Sequence, residues 1–106
     1  MGDLKITLIQ SNLFWENKEQ NLSVFSQKIN SITSPTDIIV LPEMFTTGFS
    51  MKPEALGESL SGNTVNWMKE HASKKNCAIT GSIICEENGN YYNRLIWVEA
   101  DGTIKH

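Results

Sequence analysis

The run Asp37-Ile38-Ile39-Val40-Leu41, stopped by Pro42, constrains this chain more than any other segment. It is short, continuously apolar and rich in β-branched side chains, so it reads as a strand covered on both faces. Upstream, Leu4-Lys5-Ile6-Thr7-Leu8-Ile9-Gln10 alternates apolar and polar before turning apolar, which predicts another strand. Between the two, Leu22, Phe25, Ile29 and Ile32 share one helical stripe. Asn17 and Gln20 form a capping pair before that stripe, and the chain ahead of Pro35 ends it. Strand, helix, strand predicts a βαβ unit with a right-handed crossover.

Residues 42–62 are irregular, punctuated by Pro42, Gly48, Pro53, Gly57 and Gly62. A connection of that length points to a functional loop. Its apolar cluster, Met44, Phe45, Phe49 and Met51, fits either a pocket lining or a loop folded back on the core. A second helix follows, with Val65, Met68 and Ala72 on one stripe, Asn63 as its cap and Asn76 closing it. Residues 77–85 form a third strand, Asn88-Gly89 a hairpin turn, and Tyr91 to Glu99 a fourth strand. Asp101-Gly102 signals another hairpin, yet only Thr103-Ile104-Lys105-His106 follow. The order β-α-β-α-β-β predicts an α/β fold with a mixed sheet and too few helices to cover both faces. Such a chain reads as the front portion of a larger domain.

Charge and composition narrow the function. Nine basic and twelve acidic residues leave a net charge of −3, and the densest basic run is Lys74-Lys75. Nucleic acid is therefore not an expected partner, because binding it needs clustered cations. No window approaches the ~20 apolar residues of a membrane span, and the first residues lack the pattern of a signal peptide. Ile6 stands where N-myristoylation wants Ser or Thr. Asn21-Leu22-Ser23 matches a glycosylation sequon by chance. Cys77 and Cys85 bracket one strand of roughly 26 Å, beyond disulfide reach, so both are expected as reduced thiols in a cytoplasmic protein.

Among the carboxylates, Glu16, Glu19, Glu70, Glu86 and Glu87 fall on helix surfaces or turns, Asp37 opens a strand, and Asp101 belongs to a turn. Glu43 differs, because it follows the carboxyl end of the most buried strand, where open α/β sheets bind ligands. Met44 and Phe45 beside it would desolvate the carboxylate, as a general base requires. Position alone leaves Glu43 between a base and a loop-bracing carboxylate. Cys77 and Cys85 read as buried structural cysteines, and His71 as a surface residue. The His and Cys spacing makes no zinc site, and no glycine-rich phosphate loop is present.

The stretch from Asp37 through Leu41-Pro42-Glu43-Met44-Phe45-Thr46-Thr47-Gly48-Phe49-Ser50-Met51 resembles the first catalytic segment of the nitrilase superfamily of carbon–nitrogen hydrolases. Its Thr-Thr-Gly-Phe-Ser extension is most similar to the bacterial omega-amidase branch. Gln10 at the end of the first strand, Thr80-Gly81-Ser82, Tyr91-Tyr92-Asn93-Arg94 and Asp101-Gly102 support the likeness across all 106 residues. The resemblance implies an α-β-β-α sandwich of which residues 1–106 are the N-terminal portion, usually dimeric and without a cofactor. It implies hydrolysis of a small omega-amide such as 2-oxoglutaramate by a Glu-Lys-Cys triad, with Glu43 as the glutamate. The family's Tyr-x-Lys and Cys-x-Asp patterns do not occur here. Lys105 has Thr103 where the tyrosine belongs, and neither Cys77 nor Cys85 has the nucleophile's context. The chain alone is accordingly expected to be inactive. Two alternatives stand beside this reading: an amidase of different acyl specificity, and a non-catalytic α/β interaction module.

Overall fold

The crossover unit forms as the hydrophobic pattern predicts. β1 (Ile6–Leu8) and β2 (Ile38–Val40) lie parallel, Ile6 opposite Ile38, joined by α1 (Lys18–Asn30). This computed structural model describes residues 3–48 and 56–105. Asn17 caps α1, its side chain accepting the Gln20 amide proton at 3.1 Å. A second helix, α2 (Asn63–Lys75), leads into β3 (Ala78–Glu87), β4 (Asn90–Val98) and β5 (Ile104–Lys105). The sheet runs β1-β2-β3-β4-β5; the first three strands are parallel and the last three antiparallel. Asn76 closes α2 in the left-handed region at φ 52°, as expected of Asn in that position. Asn88 (φ 54°) and Gly89 (φ 79°) both take the positive φ that a tight hairpin with right-twisted strands requires. The second hairpin also forms, and its short return, β5, pairs with the end of β4.

The start of α2 departs from expectation. Gly62, not Asn63, is the N-cap, and it has no side chain with which to bond. The orphan amides are met from outside by Glu58, whose carboxylate accepts from the Thr64 amide at 2.9 Å and from the Thr64 hydroxyl. Glu58 is fixed for this task by a bridge to β3, its N–H donating to Ile84 at 3.0 Å and its carbonyl accepting from Glu86 at 2.7 Å. Lys18 on α1 completes the arrangement with an ion pair at 3.1 Å.

α1 and α2 lie on one face of the sheet, because successive right-handed crossovers that step in the same direction stack on the same side. Phe25 and Ile29 of α1 and Val65, Met68 and Ala72 of α2 pack there against Ile39, Ile79, Ile83, Ile96 and Val98. Each of these side chains larger than alanine, fully withdrawn from water, contributes about 1.5–3 kcal/mol of transfer free energy. The other face is open among the described residues. Leu8 is 67% exposed and Leu95 63%. Within these residues Ile39 is buried under the helices, and Ile38 and Val40 are half-buried on the face that the helices leave open. β3 is the most deeply buried strand, flanked on both sides and withdrawn from water from Ala78 to Cys85.

Candidate active site

Beyond β2 the chain keeps one more sheet contact, Leu41 N–H to the Thr80 carbonyl at 2.8 Å, then turns at Pro42. Met44 adopts φ 48°, a left-handed conformation that costs a non-glycine residue roughly 1–2 kcal/mol. The outcome is a reversal of side: Glu43 stays on the open face while Phe45 enters the helix face. Two bonds to one serine hold the reversal, Met44 N–H to Ser82 Oγ at 2.8 Å and Phe45 N–H to the Ser82 carbonyl at 3.3 Å. Phe45 is completely buried, edge-on to Phe25 (centroids 5.7 Å, 87°) and tilted against Trp67 (5.7 Å, 34°). Gly81 lies directly beneath it, where any Cβ would sit 2.8 Å from the Phe45 ring.

A buried amide ties the turn to α1. Asn21, 1% exposed, donates through Nδ2 to the carbonyls of Phe14 and Thr46, each at 2.7 Å. Its Oδ1 accepts from the Phe14 N–H at 2.8 Å. With Glu16 N–H donating to the Thr47 carbonyl at 2.7 Å, the segment after β1 and the turn after β2 become one unit. The Asn21 amide is thus enclosed and bonded at both ends, so the sequon around it offers no acceptor in the folded chain.

Glu43 emerges from this framework exposed, in an open groove of about 290 Å³ lined by Leu41, Ser82, Asn93 and Leu95. Asn93 Nδ2 donates to Glu43 Oε1 at 2.9 Å. On β3 and β4, Ser82 pairs with Leu95 and Ile84 with Asn93, so these four share the face on which the carboxylate stands. A second groove, about 310 Å³ and bordered by Leu8, Gln10 and Pro42, adjoins the first at Leu41. Both open beyond the carboxyl ends of parallel strands, where a sheet of this kind binds its ligands. The desolvation expected of Met44 and Phe45 is not found, because Phe45 has crossed to the other face. Of the apolar cluster around them, Phe49 and Met51 lie outside the described residues.

The remaining candidates lie elsewhere. Cys77 and Cys85 are free and buried toward the helix layer, and burial raises both thiols above their ordinary values. Lys105 pairs with Glu99 at 3.3 Å, on the far edge of the sheet. Arg94, adjacent to Asn93, points to the opposite face, pairs with Glu87 and stacks on Tyr92 at 5.1 Å. His71 is corrected from surface to interior. Its Nε2 lies 3.2 Å from Ser26 Oγ and its ring 4.7 Å from that of Trp67. Burial depresses its pKa, Lys74 and Lys75 add to the effect, and Glu70 opposes it. Among the described residues no His, Cys, Asp and Glu group has metal-holding geometry, and no lysine or cysteine lines the groove with Glu43.

Sequence reasoning singled out the position of Glu43 after β2 but not the residues that surround it. Asn21 was visible as a polar residue on the same stripe as Phe25 and Ile29, at i, i+4 and i+8. Ser82 and Asn93 sat in segments already singled out, though nothing in one dimension joined them to Glu43.

Comparison with known proteins bears on this geometry. The family model described as carbon-nitrogen hydrolase matches residues 5–106. The chain is 43% identical over 105 residues to the Escherichia coli omega-amidase YafV, covering 98% of this chain and 40% of that protein. It is 25% identical over 101 residues to the 2-oxoglutaramate amidase of Bacillus subtilis, covering 93% and 39% of the two chains. Among solved structures, it superimposes on XC1258 of Xanthomonas campestris, a CN-hydrolase superfamily protein with an arsenic adduct in its active site. That match has a TM-score of 0.92 and 32% identity, over 99% of this chain and 40% of the other. The chain thus spans about 40% of the length of these relatives.

Proposed function

Because the chain belongs to the carbon–nitrogen hydrolase family, we propose that Glu43 is the general base of an amidase acting on a small omega-amide such as 2-oxoglutaramate. The observation that carries this is the side reversal at Met44, which presents one carboxylate to a groove beyond the parallel strands and anchors its neighbour Phe45 in the core. A cysteine and a lysine complete the triad, contributed by the protein beyond these 106 residues. In the whole protein Glu43 removes the thiol proton, since the thiolate is the effective nucleophile. The thiolate attacks the amide carbon while the lysine ammonium stabilises the developing oxyanion. Glu43 returns its proton to the departing nitrogen, ammonia leaves, and a thioester remains. Water then gives a proton to Glu43 and its hydroxide to the thioester carbon, releasing the acid. The leaving thiolate takes that proton back, and the cycle closes.

The relatives named for omega-amides support the substrate class, and the absence of lysine and cysteine from the groove among the described residues supports inactivity of the chain alone. The whole protein is read as a cytoplasmic homodimer that needs no cofactor. The test is ammonia release from 2-oxoglutaramate by the whole protein beside Glu43→Gln. A positioned general base contributes about 10²- to 10⁴-fold, so the variant should lose at least that much while its melting temperature holds. Equal turnover in the two proteins would remove Glu43 from the chemistry. No turnover in either, across a panel of simple amides, would favour the interaction-module reading.

A further inference from the structure

We propose that Asn93 is a positioning residue for Glu43: its amide occupies Oε1 and leaves Oε2 as the oxygen that exchanges protons. The proposal rests on the reading of Glu43 as the base. A glutamate with three rotatable torsions on an exposed turn samples many rotamers, and fixing it costs side-chain entropy. Proton transfer needs the carboxylate within about 2.6–3.2 Å of its partner. The Asn93 amide supplies the restraint, donating at 2.9 Å to one oxygen only.

Its own placement suits that task. Asn93 sits mid-strand on β4, opposite Ile84, in a ladder that β3 and β4 form without interruption from Glu87–Asn90 to Ile79–Val98. A donor on such a strand is held more accurately than one on a loop. The donor is also neutral. A lysine or arginine would fix the carboxylate too, but as an ion pair that favours its charged form and blunts it as a base. The nearest guanidinium, Arg94, is turned to the opposite face and engaged by Glu87. The turn contributes the second restraint: Ser82 Oγ holds the Met44 amide, one residue beyond Glu43, at 2.8 Å. Backbone and carboxylate are thereby fixed from adjacent strands, β3 and β4.

The experiment measures ammonia release from 2-oxoglutaramate by the whole protein, with Asn93→Ala, Asn93→Asp and Glu43→Gln compared. Misplacing a reacting group by about 1 Å costs on the order of 10²-fold, so Asn93→Ala should lower kcat roughly 10- to 100-fold with KM nearly constant. Asn93→Asp keeps the shape but sets a second carboxylate against the first. Like charges hold a shared proton, so the acid limb of its kcat/KM profile should move to higher pH than in Asn93→Ala. Combining Asn93→Ala with Glu43→Gln should cause no further loss. If Asn93 merely packs the strand, Asn93→Asp will show the parental kcat and pH profile; that result overturns the inference and leaves the reading of Glu43 intact. A fully active Glu43→Gln protein overturns both.

Discussion

Replacing Gly81 by alanine tests the coupling between the core and the carboxylate-bearing turn. The added Cβ would lie 2.8 and 3.0 Å from Cδ1 and Cε1 of Phe45 and 3.1 Å from Cβ of Leu41. Carbon atoms settle at about 3.5–4.0 Å, so the overlap reaches several tenths of an ångström on two sides. Phe45 has nowhere to retreat, being fully buried between Phe25 and Trp67. Alanine elsewhere in a strand is favoured over glycine by roughly 0.5–1 kcal/mol, whereas overpacking costs about 1–3 kcal/mol. The clash wins, and the net expectation is a destabilisation of about 1–2 kcal/mol. Urea unfolding of the whole protein, followed by tryptophan fluorescence, would read this as a lower midpoint at unchanged slope. Phe45→Leu in the same protein should relieve the overlap, so the double variant loses less than the two single losses together. Should Gly81→Ala prove as stable as the parent, the claimed fit between Phe45 and β3 is wrong.

Three further outcomes are expected. Asn21→Leu leaves the Thr46 carbonyl buried without its partner, at about 1–3 kcal/mol for a buried unsatisfied group, and denaturant unfolding should show a loss of that size. Glu58→Ala removes the cap of α2 and the Lys18 pair, and should lower stability by about 1–2 kcal/mol, read from the unfolding midpoint. His71 is depressed by burial, so below pH ~6.5 the unfolded chain binds the proton that the folded one refuses. Stability should therefore be complete above that pH and fall as the solution is acidified. In a pH series of melting curves, His71→Gln should flatten that slope.

The parts of the fold legible in sequence are those set by local pattern. The apolar run 37–41, the stripe through Phe25 and Ile29, the caps at Asn17 and Asn76 and the turn at Asn88-Gly89 each depend on residues a few positions apart. The position of Glu43 was legible for a related reason, since its place just beyond the end of β2 is a property of order along the chain. The failures share the opposite trait. His71 reads as a surface residue until Ser26, 45 positions away, takes its Nε2. The cap of α2 comes from Glu58 only because a bridge to β3 holds that residue in place. Met44 gives no sign of reversing the chain, because the driving force is a phenylalanine pocket built by two helices and a glycine.

The side reversal at Met44 also divides the molecule for engineering. Adjacent β3 residues answer to different demands, Gly81 and Ile83 to the helix core and Ser82 and Ile84 to the groove face. Leu95, opposite Ser82 and mostly exposed, belongs wholly to the groove face. Substitutions there alter what a ligand meets without removing buried volume from the helix layer. Randomising Gly81 or Phe45 should therefore cost a library folded members through the helix core, whereas randomising Leu95 leaves that core untouched.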